Sequence, residues 1–323
     1  MLRARPDPLD VLKTTAFVVE HARAVKIHGD AIERAADALA EKQVTPPAWN
    51  YEYHFHDGTP RTVNYLFLLD ALNFCFWGQP RWQIEYQGKT LDGYWALAAA
   101  LKRAVEQKPE IADAEFLASI SPQQLQEILQ GRGEIPLFAE RWRNVRELGV
   151  TLRNLWEGEA ARLVECANHD AARLAQMIAE NFSSFNDIAV YEREVRFFKR
   201  AQILVTDLWG AFRGQDWGEF ENINALTAFA DYKLPQILRA WGVLRYSPAL
   251  ARKVDRKIQL AAGSAEEIEI RAATLWAVEF LRQALAARGR DLWSTQVDWI
   301  LWEASQAKFA GIKPYHRVRT IYY

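Results

Sequence analysis

Apolar positions recur every three or four residues along most of the chain, so the pattern predicts helices above all. Leu9 to Val25 and Ile32 to Leu39 are amphipathic stretches that stop at the Pro46-Pro47 break. Leu66, Leu69, Asn73 and Phe76 keep helical spacing through the most apolar run, Tyr65 to Trp77. One region departs from this: Trp82, Ile84 and Tyr86 alternate with Gln83, Glu85 and Gln87, and Gly88-Lys89 then offers a turn. Ser121-Pro122-Gln123-Gln124 and Ser264-Ala265-Glu266-Glu267 read as capping-box starts of two later helices. Helical patterns fill residues 94–108, 137–182, 187–212, 232–256 and 293–308. The breaks at Gly131-Arg132-Gly133 and Arg213-Gly214-Gln215 are short, and no repeat or long linker interrupts them. The expected fold is mainly α with a small β element, one compact domain over residues 1–323. Two intimate lobes around a cleft are the alternative.

Composition narrows the function. Of 323 residues half are hydrophobic, with 13 Trp, 16 Phe and 11 Tyr against 2 Met, so the core is rich in rigid rings that can also stack on a planar ligand. Forty basic and 41 acidic residues leave a charge of −1, and no run of Lys or Arg stands out. A nucleic-acid polymer is therefore disfavoured as partner, since it calls for a basic stripe. Cys75 and Cys166 stand far apart, which argues against a disulfide scaffold or a cysteine metal site and fits a reducing compartment. Met1-Leu2-Arg3-Ala4-Arg5-Pro6 lacks an apolar signal region, and the 65–77 run falls short of the about 20 residues a membrane span needs. The expectation is a soluble, cytoplasmic protein with no membrane partner.

The most informative segment is Phe229-Ala230-Asp231-Tyr232-Lys233-Leu234-Pro235-Gln236, a carboxylate and an ammonium between aromatic rings where a new helix begins. A carboxylate among apolar groups interacts strongly with a nearby positive charge, which suits an acid that must stabilise a transient cation. The plainer reading is a helix cap with Pro235 in the first turn, and both roles can coexist. Upstream, Ile188, Tyr191, Val195 and Phe198 are spaced to face a core from one helix, with Lys199 beside that stripe; a snorkelling lysine is the plainer reading there. A helical Lys followed about thirty residues later by a helix-start Asp is also the broad plan of helix-hairpin-helix base-excising glycosylases.

Asp298 and Trp302, four apart, share one face of the last helical pattern, with Glu303 on its flank. Such an acid could bond a base edge while the indole covers its face; a surface Asp and a half-buried Trp are the ordinary alternative. His54 and His56 would point the same way only in an extended strand, and no third ligand joins them, so no metal is expected. Asp70 and Asn73 read as buried hydrogen-bonding anchors. The aromatic segment Pro314 to Tyr323 reads as docked, with Arg317 and Arg319 on one face where they could meet a phosphate. Nucleotide-cofactor, metalloprotease and hydrolase-elbow motifs are absent, so no cofactor is expected.

Several blocks in fixed order resemble the queuosine 5'-phosphate N-glycosylase/hydrolase family, also called queuosine salvage proteins. They are Val63-Asn64-Tyr65, Leu72 to Trp77, Gly88-Lys89-Thr90, Gly93-Tyr94-Trp95, Phe198 to Val205, Phe229 to Gln236, Glu267 to Arg271 and His316 to Tyr323. The resemblance implies a mainly helical fold related to that of helix-hairpin-helix DNA glycosylases. It also implies release of queuine from queuosine 5'-monophosphate. By position it makes Asp231 the catalytic carboxylate, and His54, Phe229, Asp298, Trp302 and Glu303 the lining of the base site, with His56 as alternative to His54. Glu303 stands where relatives can have Asp.

These residue types suit that reaction. Breaking an N-glycosidic bond passes through an oxocarbenium-like sugar, which an anionic Asp231 could stabilise or briefly bond. Queuine is a 7-deazapurine, so its departure must be helped by hydrogen bonds elsewhere than position 7, and its aminomethyl cation could pair with Asp298 or Glu303. Lys199, Lys233 and Arg319 are the candidates for the 5'-phosphate. A non-catalytic queuine carrier, or a glycosylase acting on a base within tRNA or DNA, are the alternatives.

Overall fold

The computed structural model describes residues 5–306 and 312–323; Met1 to Ala4 and the last turn predicted for residues 307 and 308 lie outside the described residues. The chain runs through α1 (Val11–His21), β1 (Val25–Ile27), α2 (Gly29–Glu41) and α3 (Pro60–Ala71). The hairpin β2 (Gln83–Tyr86) and β3 (Lys89–Asp92) leads into α4 (Gly93–Gln107), α5 (Ala114–Ser119) and α6 (Pro122–Ile128). Next come α7 (Phe138–Leu155), α8 (Ala160–Cys166), α9 (Ala171–Asn181), a second hairpin of β4 (Ile188–Tyr191) and β5 (Arg193–Arg196), and α10 (Lys199–Ala211). The remainder is α11 (Lys233–Ala240), β6 (Leu244–Tyr246), α12 (Pro248–Asp255), β7 (Gln259–Leu260), α13 (Ala265–Ala286), α14 (Ser294–Gln306) and β8 (Arg317–Val318). The fold is mainly helical. Its described strands form four two-stranded sheets, antiparallel except for β7–β8.

By its internal contacts the chain divides into two compact units. The first draws on Met1–Pro47, Asp187–Lys199 and Asn224–Arg319. Its axis is α13, buried along almost its whole length, with α1, α2, α11 and α14 packed on it. Helices buried on most faces lose the polar stripe of a surface helix, which accounts for charged Glu267, Glu269, Arg271 and Glu279 being buried there too. Each is paired: Glu269, for example, accepts the main-chain N–H groups of Ala24 and Val25.

The second unit draws on Ala48–Asn186, Arg200–Ile223 and Thr320–Tyr323. Helix α3 is its core, with every residue from Thr62 to Ala71 buried, packed on α4, α7 and α8. Gly149 lets α7 lie against α5, because a Cβ there would sit 2.2 Å from the Ala118 nitrogen. The buried Arg141 guanidinium satisfies the main-chain carbonyls of Leu72, Phe74 and Cys75 beyond the end of α3. Asn73 donates to Asp70 Oδ1 at 3.1 Å, as expected of buried anchors, although it lies past the helix end rather than inside it.

The stretch from Leu9 to Val25 ends in β1 and the spacing read through Phe76 outruns α3, which stops at Ala71; three further predicted helices divide into several elements. The 187–212 pattern holds a β-hairpin and only then α10: Ile188, Tyr191 and Val195 belong to the hairpin, whose turn places Glu192 at φ 59°. The 137–182 pattern is three helices, broken where Glu157-Gly158 and Asn168-His169 adopt positive φ. The 232–256 pattern is α11, then β6 paired with β1, then α12, because Gly242 ends the first helix at φ 77° and Pro248 begins the second. The Ser121 capping box is complete. At Ser264 only half forms, since Glu267 reaches back to the Gly263 N–H instead of that of Ser264.

Candidate active site

The segment Leu226 to Asp231 precedes α11 as buried chain outside any helix or strand. At its end Asp231 Oδ1 accepts the main-chain N–H groups of Lys233 at 2.7 Å and Leu234 at 2.8 Å. These are among the orphan donors of a helix start, so the capping role read from the sequence is realised. Both bonds fall on Oδ1, which leaves Oδ2 without a hydrogen-bond donor among the described residues.

Burial pushes the Asp231 pKa above the ordinary carboxylate value, against the opposing pull of the Lys199 ammonium and the two N–H groups. Lys199 is the buried first residue of α10. Asp298, on α14, is 3% exposed and accepts the Phe229 N–H through Oδ2 at 2.7 Å. Its pKa is driven much further up, by burial and by the charge of Asp231, with the Phe229 N–H and Lys199 opposing. One buried ammonium thus stands beside two buried carboxylates. Asp231 holds two N–H donors and Asp298 one, which favours the ionised form at Asp231 more than at Asp298.

The other predicted residues fall as follows. Phe229 is buried in the same segment. Lys233 opens α11, its ammonium 5.8 Å from the centre of the Tyr315 ring. Trp302 lies one turn beyond Asp298 on α14, half-buried, and Glu303 beside it is exposed. Arg319 is exposed just past β8, in which Val318 is buried and Arg317 half-buried. His54 belongs to the second unit, where it is buried in a turn. Its Nδ1 bonds the Asn50 carbonyl at 2.7 Å, its Nε2 the Tyr94 hydroxyl at 2.8 Å, and its ring stacks on Trp49. Burial lowers its pKa to about 4, so it is neutral. His56 is exposed. Among the described residues no three His, Cys, Asp or Glu side chains converge as metal ligands.

Sequence reasoning missed a buried ion pair beside this site. Arg271 of α13 grips both oxygens of Asp187, stacks 3.8 Å from the Phe197 ring centre and donates to the Ala230 carbonyl at 3.3 Å. The available signal was Arg271 following Glu267 and Glu269 in a stretch otherwise apolar, Ile268, Ile270, Ala272 and Ala273; Asp187 carried none.

Comparison with known sequences decides the family. A sequence model described as queuosine salvage protein matches residues 53–323. The chain belongs to the queuosine salvage protein family. A Sphaerobacter thermophilus protein named queuosine 5'-phosphate N-glycosylase/hydrolase is 53% identical over 98% of both chains. Proteins of the same name from Mus musculus and Schizosaccharomyces pombe are 35% and 32% identical, covering 98% and 97% of this chain and 99% of their own. Within the queuosine salvage frame, the match includes both the Asp231 segment and α14.

Proposed function

We propose that this chain hydrolyses the N-glycosidic bond of queuosine 5'-monophosphate, releasing queuine and ribose 5-phosphate for queuine salvage. The names of its relatives supply the substrate. The observation that carries the chemistry is Asp231, buried, preferred as the anion over Asp298, and with Oδ2 open.

Asp231 faces the anomeric carbon and stabilises the cation that forms there, as a charge partner or through a brief covalent bond. The C1'–N bond breaks with its electron pair passing to the base, which takes up a proton. Water completes the sugar and loses a proton. Asp298, held neutral, offers a proton or hydrogen bond to the departing base. Phe229 and Trp302 cover the ring faces. Exposed Glu303 is the freer partner for the aminomethyl cation. Lys199, Lys233 and Arg319 are the candidates for the phosphate, and Lys199 also favours the Asp231 anion. The reading takes residues 1–323 as one functional domain, cytoplasmic, with a fold related to helix-hairpin-helix glycosylases and a small-molecule substrate rather than a nucleic-acid polymer.

The test mixes purified protein with queuosine 5'-monophosphate and follows free queuine. Release by the intact protein and loss of release in Asp231→Asn are expected. Tight queuine binding without release would make the protein a carrier instead, and full turnover by Asp231→Asn would remove Asp231 from the mechanism.

A further inference from the structure

We infer that Arg271, clamped by Asp187, is a positioning residue for this reaction. It sets the main chain just before Asp231 and, through Asp187, the start of the helix that carries Lys199. The inference rests on the role proposed for Asp231.

Three sets of contacts converge on the pair. Arg271 Nε donates to the Ala230 carbonyl at 3.3 Å, one residue from the carboxylate. Asp187 Oδ2 accepts the Lys199 main-chain N–H at 3.3 Å while also holding Arg271. The Asp187 carbonyl accepts the N–H groups of both Phe197 and Phe198, at 3.0 and 3.2 Å. Phe198 sits at φ 47°, a left-handed conformation costly for a bulky residue, immediately before Lys199. Strain of this kind persists where the surroundings over-determine it, and it gathers at functional sites.

Stability alone does not explain the pair. Taking two charges out of water costs about as much as their attraction returns, and a well-packed apolar pair of similar volume is often as stable. An apolar pair could not hold Ala230 and Lys199 at once. The ion pair can: the planar fork grips Asp187 and the Ala230 carbonyl with fixed orientation, and Asp187 Oδ2 takes the Lys199 N–H. Among the described residues, the titratable groups facing Arg271 include Asp187, Glu267 with Oε1 at 3.8 Å, and His316, whose pKa burial and this arginine's charge hold down.

The test is steady-state kinetics of Arg271→Lys on queuosine 5'-monophosphate, with thermal unfolding and Asp231→Asn alongside. Lysine keeps the charge and loses the fork. The expected result is a folded protein whose kcat falls by up to about 100-fold, with KM changed far less. The acid limb of its kcat–pH profile should move upward, because Lys199 is no longer held to favour the Asp231 anion. A lower unfolding temperature with unchanged kcat and unchanged acid limb would overturn the inference. Should Arg271→Lys not fold, Asp187→Glu keeps the pair and alters its reach by one methylene, and the same two readouts apply. If Asp231→Asn is inactive and Arg271→Lys matches the wild type, the inference alone fails. If Asp231→Asn turns over normally, the reading of Asp231 fails first.

Discussion

Asp298 accepts the main-chain N–H of Phe229 at 2.7 Å, so one buried carboxylate steadies the short segment that presents the other, Asp231. An amide oxygen accepts that bond equally well. The link can therefore be kept while the charge is removed.

Asp298→Asn should gain stability over the wild type as pH rises. Burial and the Asp231 charge raise the folded pKa of Asp298 well above its unfolded value of 3.8. The folded state then binds the extra proton, so the stability Asp298 contributes is complete below 3.8 and is lost as pH climbs through the folded value. Within that window the slope is about 1.4 kcal/mol per pH unit. Denaturant unfolding of both proteins across pH reads it, and a difference independent of pH would refute the assignment.

At Asp231 the capping and chemical roles can be separated. Asn and Ala both remove the charge, but Asn can still accept the N–H groups of Lys233 and Leu234. Asp231→Ala should be less stable than Asp231→Asn by about 1 kcal/mol, read as a shift in urea midpoint at equal slope. Both should lack activity. Equal midpoints would mean the cap contributes nothing.

The Asp231 segment was legible because its signals are local: an acid, then Pro235 in the first turn, at a change of pattern. The hairpin before Lys199 was not. Ile188, Tyr191, Val195 and Phe198 are spaced three, four and three apart, which fits a helical stripe as well as it fits two short strands. The turn that decides between them is made at Glu192 in the left-handed region, without the glycine or asparagine that marks such turns. Nor could the Asp187–Arg271 pair be read, since its members lie 84 positions apart. Asp298 is a candidate by its place in the sequence, but its bond to Phe229 spans 69 positions and needs the fold.

His54 gives the second unit an acid-sensitive element. Burial holds its folded pKa at about 4 against 6.5 unfolded, partly opposed by the Asn50 carbonyl. Its contribution is therefore complete above pH 6.5 and lost as pH falls toward 4, by roughly 3 kcal/mol. His54→Gln should flatten the fall in stability over that range. His316, shifted down to about 3 by burial, keeps a remainder of the same sign. An unchanged acid profile in His54→Gln would show that His54 is already protonated in the folded protein.

Lys199 and Lys233 are both candidates for the phosphate, but their placements predict different phenotypes. Lys199 is buried beside Asp231 and Asp298 and favours the ionised form of each. Lys233 is half-buried at the start of α11, near the Tyr315 ring. Removing the Lys199 charge should push the already raised Asp231 pKa higher, so activity that needs the anion is lost at a higher pH. Lys199→Met should therefore move the acid limb of kcat upward on queuosine 5'-monophosphate, and equally on queuosine without its phosphate. Lys233→Met should chiefly raise KM for the phosphorylated substrate and leave the dephosphorylated one little changed. Kinetics of the two variants on the two substrates across pH separates these effects. If Lys199→Met acted only on the phosphorylated substrate, with its acid limb in place, Lys199 would be a phosphate ligand and not the electrostatic partner of Asp231.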